Sequence, residues 1–418
     1  MTPTTTSSGA TGSMARRSAG WRFFWGALLW ASAAASAQVQ FQIVHAFGAT
    51  GDVNAIYSQV TLDRKGNLYG TGAGGAAYNS GAVFELSRKG DGSWNEAVLH
   101  SFGAPGDGAY PYGPVTLGAD GVLYGATSGG GTNRQGVIYS LTPAPAGWSE
   151  SVLHRLVPAD QVSSPSGNIV RDAAGNLYGE GGIFELSASA GGWAFTLICE
   201  RRDICSAGIY DDTALAPGVR LFSSGDGGEY RLGNVYINMP VPGAWKTQTL
   251  YSFGGTKYDG QIPSHGPLVA DATGSIYGTT FQGGSYTCGN AGCGTIYKLT
   301  WQAGKGWQET ILYNFHPPSA GTGYGPTAGV IMDEAGNLYG TAAYGGPCDC
   351  GVVYRLLHHQ NDTWSYEVLH TFMNTDGALP YSALTLDSHG NLFGTTVGGG
   401  PYGGGVVYEL SPLTDSVR

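Results

Sequence analysis

The chain has 418 residues, 42% hydrophobic and only 12% charged, which excludes intrinsic disorder and leaves ample apolar surface for a packed core. A formal net charge of −10 with no basic cluster disfavours nucleic acid and anionic membrane surfaces, both of which are held through Lys and Arg. Glycine is the outlier at 71 residues, more than twice the usual share of about 7%; beside 25 Tyr and 10 Trp, it predicts many short strands joined by glycine turns rather than helices.

The first element is "MARRSAGWRFFWGALLWASAAASA", residues 14–37. A basic start, an apolar stretch from Phe23 and a small-residue end at Ala35-Ser36-Ala37 predict a secretory signal peptide over 1–37, with Met14 as a second possible start. The apolar part gives way to Ala and Ser near Trp30, short of the roughly 20 residues a membrane span needs. Residues 38–418 then form one domain, exported to the periplasm or beyond, with no stable membrane insertion after cleavage.

Next comes "FQIVHAFG" (41–48), a near copy of "AVLHSFG" (97–103), which closes a repeating unit. The units follow. "GNLYGTG" (66–72) recurs as "GVLYGAT" (121–127), "GNLYGEG" (175–181), "GSIYGTT" (274–280), "GNLYGTA" (336–342) and "GNLFGTT" (390–396), with "VRLFSSG" (219–225) as a worn copy. After each comes a run such as "AVFEL" (82–86) or "VVYEL" (406–410). Trp94, Trp148, Trp193, Trp245, Trp307 and Trp364 then each lead an apolar run, and a run such as "PVTL" (114–117) precedes each Leu-Tyr-Gly.

Four β-branched and aromatic runs per period of about 54 residues predict an antiparallel four-stranded blade, A to D, and an all-β, seven-bladed β-propeller. A sandwich or β-solenoid fits four strands per period less well. The last repeat supplies A, B and C but no Trp-led D strand, and residues 39–47 supply a D strand alone. The N-terminal strand is therefore expected to pair with the last three and close the ring, removing an open edge.

The pattern "GNLYGTT…GG…GxVFEL…LHSF…DGxxP" resembles the Gloeo-Verruco (GloVer) tandem repeat of bacterial secreted propellers, also called choice-of-anchor repeat proteins, over nearly all of 39–410. The resemblance implies a propeller, and no established activity or catalytic residues. The family name implies a C-terminal sorting anchor; "SPLTDSVR" has neither an apolar tail nor a basic cluster.

Candidate chemistry is sparse. His45, His100, His154 and His370 share one repeated position, where other units have Ile198, Tyr251 and Tyr313, so a packing role is expected rather than a metal ring. His358-His359 falls in a short C-to-D turn. Asp63, Asp172, Asp271, Asp333 and Asp387 each head a tight A-to-B turn and are assigned to turn structure. No nucleophile elbow, zinc spacing, calcium loop or phosphate loop is present, and no cofactor is expected. The six cysteines form close pairs, read as the local disulfides Cys199–Cys205, Cys288–Cys293 and Cys348–Cys350 of an exported protein. The last ring is small enough to be strained and readily reduced.

In an A-B-C-D propeller the B-to-C and D-to-A loops emerge on one face. Here they are long, rich in Tyr, and hold all six cysteines. Long loops on a rigid scaffold are where binding usually lives. Tyr110, Tyr112, Tyr258, Tyr286, Tyr324, Tyr344, Tyr381 and Tyr402 are the candidate binding residues, for a glycan or protein ligand in a non-enzymatic module. The competing expectations are a lactonase-like or glycan-lyase propeller with its site in the central channel, and a purely structural surface module.

Overall fold

A computed structural model describes residues 39–412 except 163, 190, 200–212, 217–219, 226 and 265. The expected signal peptide, Gln38, the last six residues and Cys205 lie outside the described residues. All described strands belong to one unit, Gln38–Arg418.

An Asp-headed turn builds the A-to-B hairpin of five blades, at Asp63, Asp172, Asp271, Asp333 and Asp387. Asp63 Oδ1 accepts hydrogen bonds from the backbone N–H of Lys65 (2.8 Å) and Asn67 (2.9 Å), and Oδ2 accepts from the Asn67 amide at 3.0 Å. Asp172, Asp333 and Asp387 bond their own Asn in the same way, and also at Asp172 and Asp333 the Tyr of Leu-Tyr-Gly donates to the carboxylate at 3.0 Å. These aspartates are turn residues, bonding their own backbone as Asx turns do.

The glycine of Leu-Tyr-Gly has a packing reason. In the seventh blade strand C (Val406–Pro412) pairs with strand B (Leu392–Thr396), placing Tyr408 opposite Gly394. A Cβ on Gly394 would meet the Tyr408 hydroxyl at 2.3 Å, and the same collision recurs between Gly340 and Tyr354 at 2.4 Å. These strand-C rings are fully buried. Neighbouring blades join through a second aromatic pair: the strand-D Trp of one lies edge-on or tilted against the strand-B ring before it, as in Trp148 on Tyr69 (6.1 Å) and Trp94 on Phe393 (6.4 Å).

Seven such sheets make a seven-bladed β-propeller. The first blade runs Thr61–Leu62, Leu68–Gly72, Ala82–Arg88, Trp94–Ser101. The last blade takes its D strand from Val39–Ala46, which pairs antiparallel with Val406–Pro412 from Val39↔Pro412 to Ala46↔Val406. Inner-strand threonines tie each of four blades to the next: Thr71 donates to the Gly113 carbonyl (2.9 Å), Thr279 to Ala328 (2.7 Å), Thr341 to Ser382 (3.0 Å) and Thr395 to Ser58 (2.9 Å). The last of these joins the seventh blade to the first.

Strand D carries a β-bulge at a repeated place. In the first blade His100 pairs with Val83 and Val98 with Phe84, leaving Leu99 unmatched. The same shift occurs in the second blade between Ile138 and Tyr139, and in the seventh beside His45. An extra residue inverts the facing of everything beyond it. Glu96 and His100, four apart and otherwise on one face, thus point to opposite neighbours: Glu96 toward the seventh blade's His45, His100 toward Asp107 of the next.

Candidate functional site at the channel mouth

In five blades the D-to-A loop is held down by the following B-to-C loop. Val53–Asn54 pairs with Gly74–Gly75, Gly108–Ala109 with Gly129–Gly130, and Gly260–Pro263 with the end of Ile276–Gly283. Bridges Tyr324↔Tyr344 and Ala378↔Gly398 do the same in the sixth and seventh blades. The B-to-C glycines are needed here, because a Cβ on Gly75 would sit 2.1 Å from the Asp52 carbonyl oxygen.

Three of these loops pass through a left-handed non-glycine residue just before a proline: Tyr110 (φ 61°), Ile262 (φ 55°) and Leu379 (φ 59°). A β-branched residue there is strained, and backbone strain clusters at ligand sites. The chain then turns into strand A, delivering side chains to the channel wall.

There the loops enclose a cavity of about 440 Å³. Its rings are Tyr57, Tyr112, Tyr344, Tyr381 and Phe281, and Gln59, Asn168, Ser166 and Ser382 supply neutral polar groups. The Tyr344 and Tyr381 hydroxyls are 3.0 Å apart; Tyr57 stacks on Tyr381 (6.1 Å) and meets Tyr112 at 5.4 Å. Burial, with the neighbouring Tyr57 second, raises the Tyr112 hydroxyl above its ordinary value, so it stays a neutral hydrogen-bonding group. Among the described residues the lining carries no carboxylate, imidazole or cation.

Of the eight tyrosines singled out from sequence, Tyr112, Tyr344 and Tyr381 line this cavity. Tyr324 supports it from outside, stacking on Tyr344 at 5.4 Å and donating to Asp349 Oδ2 at 3.1 Å. Tyr110, Tyr258, Tyr286 and Tyr402 are exposed and do not line it; Tyr258 lies beneath the Lys257 ammonium and Tyr286 packs on His316. Tyr57 was missed, although "YSQV" (57–60), "YGPV" (112–115) and "YSAL" (381–384) are one motif. Glu180 was missed too. It stands where Thr71, Thr279, Thr341 and Thr395 stand in other blades, 2% exposed, its carboxyl filling the space a Cβ on the cavity residue Gly167 would need.

Cys288 and Cys293 are bonded, Cα atoms 5.0 Å apart, across the hairpin of Thr287–Cys288 and Ala291–Gly292. Cys348 and Cys350 are bonded in the next blade's B-to-C loop. Both bonds lie in loops of the cavity face.

The repeat model that matches residues 19–195 and 216–418 is the Gloeobacter/Verrucomicrobia repeat. The chain belongs to that family. No curated protein matches it in sequence. Among solved structures it is similar to an ancestral GH74 enzyme, with TM-score 0.58 and 13% identity over 92% of this chain and 51% of that one, so it spans about half that enzyme's length. A Bacteroides uniformis protein assigned by name as a 6-phosphogluconolactonase matches with TM-score 0.49 and 12% identity, over 78% of this chain and 88% of that one. At these identities the likeness of this family member to the GH74 enzyme is one of fold.

Proposed function

We propose that this repeat propeller is an exported, non-enzymatic binding module that takes a neutral, polyhydroxylated ligand, a glycan segment, in the cavity at the channel mouth. The observation that carries it is the lining: tyrosine rings beside neutral amides and hydroxyls, in a concave site of about 440 Å³. Flat amphipathic rings stack on the apolar faces of sugars, and neutral donors and acceptors meet hydroxyls without a charge to desolvate. The reading is tested by a glycan array followed by calorimetry. Tyr344→Ala or Tyr381→Ala is expected to weaken a bound glycan by about 2 kcal/mol, roughly 30-fold. Lys65→Ala and Ser388→Ala, in A-to-B turns, should leave affinity unchanged. Loss from the turns with none from the tyrosines would move the site to the other face.

The enzymatic alternative rests on Glu180, a buried acid behind Gly167. Turnover of a lactone or glycan that Glu180→Gln abolishes would overturn the non-enzymatic reading.

Two loop disulfides support export, and among the described residues no helix is long and apolar enough to cross a membrane. The mature protein is expected to begin at Gln38, which intact-mass measurement of exported material checks. A mass that still includes residues 23–37 would reject cleavage there.

A further inference from the structure

At the outer rim, five boundaries among the described residues are three-residue contacts: the repeated His or Tyr of strand D, an Asp of the loop that follows, and one residue of the next strand D at the place of Glu96. At the boundary of the seventh and first blades these are His45, Asp52 and Glu96; at the next, His100, Asp107 and Glu150. In each set one imidazole nitrogen and one oxygen from each carboxyl lie within 4.8 Å of one another. His45 Nε2 is 3.5 Å from Glu96 Oε2 and 4.0 Å from Asp52 Oδ2; His100 Nε2 is 3.1 Å from Asp107 Oδ2.

Two other boundaries replace the acid with a ring. Phe195 stacks on His154 at 4.8 Å, and Phe41 stacks on His370 at 3.9 Å with the planes 6° apart. There the histidine still bonds its loop Asp, His154 to Asp160 at 2.8 Å and His370 to Asp376 at 3.1 Å. A Phe therefore satisfies the position, so two carboxyls facing one imidazole are not needed to join blades. At both of the acidic boundaries polar atoms are unmet: His45 Nε2, Glu96 Oε1 and Glu150 Oε1 are shielded from solvent and have no hydrogen-bond partner, as is Glu309 Oε1 where Tyr251 replaces the histidine.

We propose that His45–Asp52–Glu96 and His100–Asp107–Glu150 are twin sites for a divalent transition-metal ion that staples the seventh blade to the first and the first to the second. One imidazole and two carboxylates suit Zn²⁺ or Mn²⁺, and an open position remains for water. Donors at this spacing reach one coordination sphere of about 2.0–2.2 Å by side-chain movements of roughly 1 Å. The three ligands come from two D strands and the loop between them, so an ion binds the folded ring and not the unfolded chain.

The test uses the mature protein freed of metal by chelation. Titration with Zn²⁺, and separately Mn²⁺, should show two ions per chain for at least one of them and a rise in melting temperature that excess chelator reverses. Glu96→Phe and Glu150→Phe, which copy the boundaries that fold with Phe41 and Phe195, should each lower the count from two to one, and the double variant should bind none. Glu96→Gln and Glu150→Gln keep the shape and should weaken the same sites by tenfold or more, providing the readout if a Phe variant misfolds. Glu309→Gln, at a boundary where Tyr251 replaces the histidine, should keep both ions. Absence of micromolar binding by either ion, or binding retained in the double variant, would overturn the proposal.

Discussion

A chain lacking residues 38–48 is expected to melt at least about 10 °C below the full protein, or to fail to accumulate as folded material. The segment contains the outer strand of the seventh blade, paired with Val406–Pro412 along its length. Phe47 is fully buried and meets Phe84 at 4.9 Å; Phe41 lies between His370 and Tyr408. Burying one such side chain is worth about 1.5–3 kcal/mol, so losing Phe41, Val44 and Phe47 together removes roughly 5–8 kcal/mol before any backbone pairing is counted. In a chain this long 1 kcal/mol moves the midpoint by about 2 °C. The deletion also bares strand C as an edge open to other chains. Calorimetry with size-exclusion chromatography reads both effects. Melting within about 2 °C of the full protein would show that the pairing contributes little, whereas Phe47→Ala alone should cost about 3–5 kcal/mol.

The second large effect is electrostatic and runs opposite to the usual acid lability. Glu309 packs against Asp259, which is 1% exposed and whose Oδ2 already accepts from the N–H of Gly254 and Gly255 at 2.8 Å. Burial first, then the hydrogen bond and charge of Asp259, push the Glu309 carboxyl from an ordinary 4.5 up to about 9. Tyr251 and Tyr297 also face this site, and both hydroxyls are raised, first by burial and then by Glu309. With the folded value above the unfolded one, the folded state holds the extra proton throughout that window. This contribution to stability is therefore present at low pH and is lost as pH rises from about 4.5 toward 9. The slope is about 1.4 kcal/mol per pH unit, or about 3 kcal/mol between pH 6 and pH 8. Glu309→Gln keeps a donor toward Asp259 without the titration, so it should gain on the wild type by that amount over the same interval. Parallel curves of melting temperature against pH for the two proteins would reject the shared proton.

The propeller was legible because its rules are local and repeated. The Asp turn, the glycine beneath a strand-C ring and the Trp that meets the preceding blade's Tyr each leave the same letters at the same spacing. The site was only partly legible. Tyr112 and Tyr381 stand out as loop tyrosines, and Tyr57, at the same place of the shared motif, was legible by the same sign and missed. Tyr258 and Tyr402 look the same in sequence; only the path of the loop decides that they face outward. The boundary sets were hidden for another reason. His100 and Glu150 lie fifty positions apart, and a one-residue bulge, which no letter announces, turns Glu96 away from His100 on their own strand.

That Val39 pairs with Pro412 also sets an order of events in time. Contacts between residues this far apart along the chain form late, because a very long loop must close first. During synthesis the first strand emerges before any of its partner exists, and it waits, with Phe41 unpacked, while six blades are made. The ring is finished only when Val406–Pro412 has left the ribosome. A chain cut within the last repeat therefore loses its first strand as well as its last, and the gap falls at the boundary where His45 meets the first blade.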